Sequence, residues 1–220
     1  MIAFTPLDRH GMAARVAADI PEGWFVNLGI GIPTLAADFV PPEREVVFHA
    51  ENGVIGVGPA PPADQVNPYL INASTHHITL RAGGSFVDHT VSFAIARGGH
   101  LDLCVLGAFE VAENGDLANW ARTADEPVKQ VGGAMDLAIG ARRLWVVMEH
   151  TTKSGAPRLR HRCTYPLTAR GVVKRIYTNL AVIDVEPQGF VVREIIPGLD
   201  FQSLQARTEA KLLTGTDEIE

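Results

Sequence analysis

Apolar residues recur every four positions at Met12, Val16 and Ile20, just ahead of Pro21-Glu22-Gly23. That spacing predicts an amphipathic helix, opened by Thr5-Pro6 with Asp8 in its first turn and stopped at Pro21. WFVNLGIGIPTLAADFV (24–40) predicts a buried strand, a glycine loop and a helix opening near Pro33-Thr34. EVVFHAENGVIGVG (45–58) predicts two strands joined at Asn52-Gly53, a pair that tolerates positive φ. The proline-rich APPADQVNP (60–68) is expected to be a loop. Further on, LDLCVLGAFEV predicts a strand, Asn114-Gly115 a second turn, and VGGAMDLAIGA (131–141) another glycine loop entering a helix. RLWVVMEHT (143–151) is the apolar run of a strand covered on both faces. GVVKRIYT (171–178) is taken as a helix, LAVIDVE and FVVREI as strands, and FQSLQARTEAKL (201–212) as an amphipathic helix. The acidic tail 214–220 is expected to fray. Strands alternating with helices predict an α/β fold, a single layered domain with a central, mainly parallel or mixed sheet covered by helices.

Composition adds mostly exclusions. The chain of 220 residues has the length of one sizeable domain, with 46% hydrophobic and 20% charged residues. Its net charge of −6 offers no general attraction to nucleic acid or anionic lipid. No apolar run approaches the roughly 20 residues that span a bilayer, and MIAFTPLDRH lacks a cationic segment followed by an apolar core, so a cytoplasmic protein is expected. Cys104 and Cys163 sit in no metal-ligand or CxxC spacing and are expected to be reduced, structural thiols.

Three kinds of chemistry compete. His76 and His77 are adjacent and would face opposite ways on a strand, no HExxH or Cys/His cluster occurs, and no metal is expected. Without a GxSxG elbow, a serine hydrolase is set aside. The third candidate is Glu51, a carboxylate at a strand end just before the Asn52-Gly53 turn. Such a group can act as a covalent nucleophile if backbone donors face the developing oxyanion. The plainer alternative is a solvated Glu beside a hairpin turn. Gly29-x-Gly31 lacks the third glycine of a dinucleotide fingerprint, and no phosphate-binding GxxxxGK[ST] motif occurs.

ENGVIGVGP, NLGIGIPT, ARGGHLDLCVLGAFEV, GDLANW, VGGAMDLAIGARRLWVVMEH and CTYPLT together resemble the beta subunit of the 3-oxoacid CoA-transferases, the family I CoA-transferases. The resemblance runs from about Thr5 to Leu204. GAFEV, CTYPLT and RIYTNLAV are most similar to the members that use 3-oxoadipate rather than acetoacetate. It implies the fold shared with sugar-phosphate isomerases, and transfer of CoA from an acyl-CoA such as succinyl-CoA to a 3-oxoacid. By that resemblance Glu51 attacks the thioester, Gly133 supplies an oxyanion donor with Gly132 alongside, and Asn119 contacts CoA. It also implies no resident cofactor, CoA entering as substrate, and an alpha subunit that completes the site in an α2β2 assembly. Relatives read Ser before the glutamate, where this chain has Ala50, and Gly-Lys where it has Ser74-Thr75. The proline-rich loop after Glu51 is expected to help cover the site, and Arg81, Arg97 and Arg122 are candidates for a distal carboxylate. Other 3-oxoacid acceptors, an acyl-CoA hydrolase and a non-catalytic ligand-binding module on the same scaffold stay open.

Overall fold

Asp8, rather than Thr5, starts the first helix. In the computed structural model, which describes residues 4–122 and 131–215, helix α1 spans Arg9–Asp19, and Gly11 N–H donates to Asp8 Oδ1 at 2.7 Å. An acidic cap one residue before the helix satisfies a donor that has no intrahelical partner. Met12, Val16 and Ile20 are buried, as their spacing requires. The part of the acidic tail beyond residue 215 lies outside the described residues.

The chain divides into two compact units. The first comprises Ala13–Gly107 and Gly133–Leu144. It contains strands β1 (Phe25–Leu28), β2 (Val47–Ala50), β3 (Val54–Val57), β4 (Leu80–Phe86) and β5 (Leu103–Leu106), arranged in the order β5-β1-β2-β3-β4. β1 runs parallel to both β5 and β2, while β3 and β4 add antiparallel hairpins. Every residue of β5 is buried, matching its uninterrupted apolar run. The glycine loop after β1 enters a 3-10 helix, Pro33–Phe39, not an α-helix. Helix α2 (His89–Arg97) is capped by Asp88, whose Oδ1 accepts from Thr90 N–H at 2.8 Å. It packs on α3 (Ala134–Gly140), where Arg97 holds Asp136 through two 3.0 Å bonds.

The second unit comprises Met1–Met12, Ala108–Gly132 and Trp145–Glu220. A small sheet of β6 (Glu110–Ala112), β7 (Leu117–Ala118) and β9 (Leu159–Arg160) has β6 at its centre. A larger one joins β8 (Leu144–Met148), β10 (Val173–Thr178), β11 (Ala181–Glu186), β12 (Gly189–Ile195) and β13 (Leu212–Thr214) in the order β13-β12-β11-β10-β8. Parallel and antiparallel ladders both occur, so the fold is mixed α/β.

Two expectations fail here. The segment read as helix GVVKRIYT is strand β10, antiparallel to β11 with Arg175 opposite Asp184. Its β-branched and aromatic residues suit a pleated surface, and the cross-strand ion pair, 2.6 Å from Arg175 Nε to Asp184 Oδ1, fixes the register. The C-terminal helix is only α4 (Phe201–Gln205). Gln205 Nε2 donates to the carbonyls of Thr208 and Ala210, its Oε1 accepts from Leu212 N–H, and the chain departs into β13. One side-chain amide thus satisfies backbone groups that a longer helix would have paired.

Candidate active site

Glu51 lies in the three-residue turn Glu51-Asn52-Gly53 between β2 and β3, where Ala50 pairs with Val54. The turn closes through Gly53 N–H to the Ala50 carbonyl at 2.9 Å. Gly53 has φ +106, and a side chain there would also collide with the Val87 carbonyl, so only glycine fits. Asn52 does not share the positive φ of a two-residue type I′ turn. Its Nδ2 instead donates to the Ile71 carbonyl at 2.9 Å. The hairpin alternative was therefore right about the strands and wrong about the glutamate: Glu51 is half-buried, inside the turn rather than solvated beside it.

A buried polar chain holds it. Ser92 Oγ, on α2, donates to the Glu51 carbonyl at 2.9 Å, which commits its only hydrogen. It therefore accepts from His49 Nε2–H, 2.9 Å away. His49 Nδ1 then accepts from Asn27 Nδ2 at 3.0 Å. The same Asn27 amide donates to the His49 carbonyl at 3.2 Å and to Glu51 Oε2 at 3.4 Å, so two hydrogens serve three acceptors. Asn27 Oδ1 accepts from the Cys104 thiol at 3.4 Å. Burial raises the Glu51 carboxyl above its ordinary range, while hydrogen bonding, including that from Asn27, and the nearby His89 pull the other way. A carboxylate short of solvation is a better nucleophile than one fully hydrated.

Burial drops His49 to about 4, so it is neutral in the folded chain at pH 7. The unfolded chain takes up that proton near 6.5, so between 6.5 and about 4 it binds more protons than the folded state. Stability therefore declines as pH falls through that window. His150, buried between Thr178 and Thr208 in the second unit and also near 4, contributes the same sign. Denaturant titrations at pH 7.5 and 5 are expected to show this loss, and His49→Gln is expected to shrink it. An unchanged pH difference in the variant would refute the assignment.

Gly133 precedes α3, with φ −78, so its backbone does not demand glycine. Space does: an added Cβ would lie 2.6 Å from Phe93 Cε1. Phe93 follows Ser92 on α2, so consecutive residues of one helix anchor the Glu51 turn and the Gly133 amide. Gly132 takes φ +56, the left-handed conformation glycine adopts without strain. Asn119 belongs to the second unit, where its Oδ1 accepts from Thr168 Oγ1 at 2.6 Å and its N–H donates to that hydroxyl at 3.1 Å. GDLANW and YPLT are thereby tied together. The buried Glu110 of GAFEV accepts from Thr164 and Tyr165, which adds the third motif.

Arg97 is engaged by Asp136, and Arg81 donates to the carbonyls of Arg44 and Val40. Thr75 holds φ +61 in a tight turn whose Asn72 Oδ1 accepts from Ser74 and His76 N–H. A cavity of about 160 Å³ beside β2 is lined by His49, Ala50, Asn72, His76 and the base of the proline-rich loop at Ala60. No group of His, Cys, Asp and Glu able to hold a metal occurs among the described residues, and no described helix is long and apolar enough to cross a membrane. Asn27, His49 and Ser92 are site residues that sequence reading missed. The one available signal was a lone Asn in the apolar strand FVNL.

Residues 9–206 match the family model described as Coenzyme A transferase. The B-type subunit of 3-oxoadipate CoA-transferase from Acinetobacter baylyi is 49% identical over 98% of this chain and 99% of its own length. The Pseudomonas putida protein of the same name is 52% identical over 94% of this chain and 97% of its own. Among solved structures, an acyl-CoA transferase from Escherichia coli O157:H7 shares the fold with a TM-score of 0.74 at 20% identity. That match covers 98% of this chain and 44% of the other. Family model, relatives and fold agree: the chain belongs to the Coenzyme A transferase family and is a CoA-transferase enzyme.

Proposed function

We propose that the chain is the nucleophile-bearing half of a 3-oxoacid CoA-transferase that moves CoA from succinyl-CoA to 3-oxoadipate. The observation that carries this reading is Glu51, a half-buried carboxylate in a rigid turn, anchored at its carbonyl by Ser92 and at its side chain by Asn27. Its carboxylate attacks the thioester carbonyl, the tetrahedral oxyanion is held by the Gly133 amide, and CoA thiolate leaves. The thiolate then attacks the glutamyl carbonyl of the resulting mixed anhydride, releasing succinate and leaving a glutamyl-CoA thioester. The acceptor carboxylate runs the same steps in reverse. CoA enters as substrate, with Gly132 giving the turn its freedom and Asn119 contacting CoA.

The relatives are named as one of two subunit types, which supports a separate alpha subunit completing the site, and we propose an α2β2 assembly. The test is coexpression with such a partner, incubation with succinyl-CoA without acceptor, and peptide mapping after quenching. A CoA adduct, reducible by borohydride, is expected on the peptide containing Glu51. Absence of the adduct in active enzyme would overturn the mechanism, and steady thioester loss without any acceptor would favour a hydrolase.

A further inference from the structure

We infer that a cation-lined pocket in the second unit binds the phosphorylated nucleotide end of the acyl-CoA, an inference that rests on the transferase reading above. The pocket has a volume of about 380 Å³, within the range of small-molecule sites. Arg122, Lys153 and Arg158 line it, with the hydroxyl residues Thr152 and Ser154 and the rings of Phe109 and Tyr165. None of these lining residues is acidic, although the whole chain carries a net charge of −6. Three cations gathered without a carboxylate among them mark a place built for an anion.

The lining is fixed before any ligand arrives. Thr152 Oγ1 and Ser154 Oγ are 2.8 Å apart, and Ala156 N–H donates to Thr152 Oγ1 at 3.0 Å, which holds the turn that carries Lys153. Phe109 and Tyr165 meet edge to face, 6.5 Å between centroids, and the Arg122 guanidinium lies 5.5 Å from the Phe109 ring centre. Phe109 N–H donates to the Ala118 carbonyl at 2.9 Å, so the aromatic side is anchored next to Asn119.

The nucleotide end of CoA carries a diphosphate, a 3′-phosphate and a purine. Guanidinium and ammonium groups pair with phosphate oxygens, hydroxyls donate to them, and a purine finds flat apolar partners in the two rings. A 3-oxodicarboxylate offers two carboxylates and no ring, and so leaves the aromatic side unused. Arg122 is thereby assigned to the donor rather than to the acceptor's distal carboxylate.

The experiment uses the enzyme assembled with its alpha subunit and compares succinyl-CoA with succinyl-pantetheine, a thioester lacking the nucleotide. Lys153→Ala and Arg158→Ala are each expected to raise KM for succinyl-CoA about tenfold, the scale of one lost charge-assisted contact. KM for succinyl-pantetheine is expected to stay at the parent's value, which also shows that the variants are folded. Adenosine 3′,5′-bisphosphate is expected to compete with succinyl-CoA in the parent and more weakly in either variant. Equal changes for both donors, or a change confined to the apparent affinity for the acceptor acid, would overturn the subsite and leave the transferase reading intact. A parent enzyme that transfers nothing from either donor would instead remove the transferase reading itself.

Discussion

Glu51→Gln is expected to abolish CoA transfer and, at the same time, to make the folded chain more stable at neutral pH. Glutamine nearly preserves the shape and still accepts from Asn27, but it cannot attack a thioester. The loss is expected to be on the order of 10⁴-fold or more in kcat, as for other groups that form the covalent bond. The stability gain follows from burial. The folded state raises the carboxyl's pKa and therefore holds its proton more tightly than the unfolded chain does. Stability consequently declines as pH rises from the unfolded value through the folded one, and the whole cost is present above it. Removing the charge removes that cost. Initial rates and denaturant midpoints at pH 7.5 check both halves. A variant that keeps a hundredth of the parent's rate, or one that is less stable than the parent, would contradict the assignment.

Gly133→Ala should be the next most damaging change, for a different reason. The added methyl would enter the space of the Phe93 ring, which is itself buried in α2. Relief requires either the ring or the loop before α3 to shift. Overpacking of this kind typically costs about 1–3 kcal/mol of stability. If the Gly133 amide holds the oxyanion, displacing it costs roughly 100- to 1000-fold in kcat, with KM little changed. Phe93→Leu in the same chain shortens the obstructing group and is expected to restore part of the rate. A double variant as slow as the single one would mean that crowding against Phe93 is not the cause.

Much of the fold was legible because apolar runs such as RLWVVM have few ways to be buried, and Met12, Val16 and Ile20 have one. β10 was not: Lys174-Arg175 between apolar residues imitates a helical period, and the Asp184 that pairs with Arg175 comes from the following strand. The C-terminal helix was overextended because nothing local announces that Gln205 will turn inward and bond to the backbone ahead of it. Glu51 stood out through its position before a turn and through the resemblance of the surrounding motifs. The chain that holds it joins Asn27 to His49 and His49 to Ser92 across 22 and 43 residues, and only the folded backbone brings them together. Asn119 shows the converse case, conspicuous in sequence and engaged structurally by Thr168.

The thiol bonded to Asn27 has a practical corollary. Cys104 is fully enclosed, and burial together with the charge of Glu51 keeps it protonated well above its ordinary range. Cys163, pushed up to about 12, is hardly more reactive. Chromogenic disulfides and maleimides that report liberated coenzyme can thus be mixed directly with the protein, since the colour they develop will come from product and not from the catalyst.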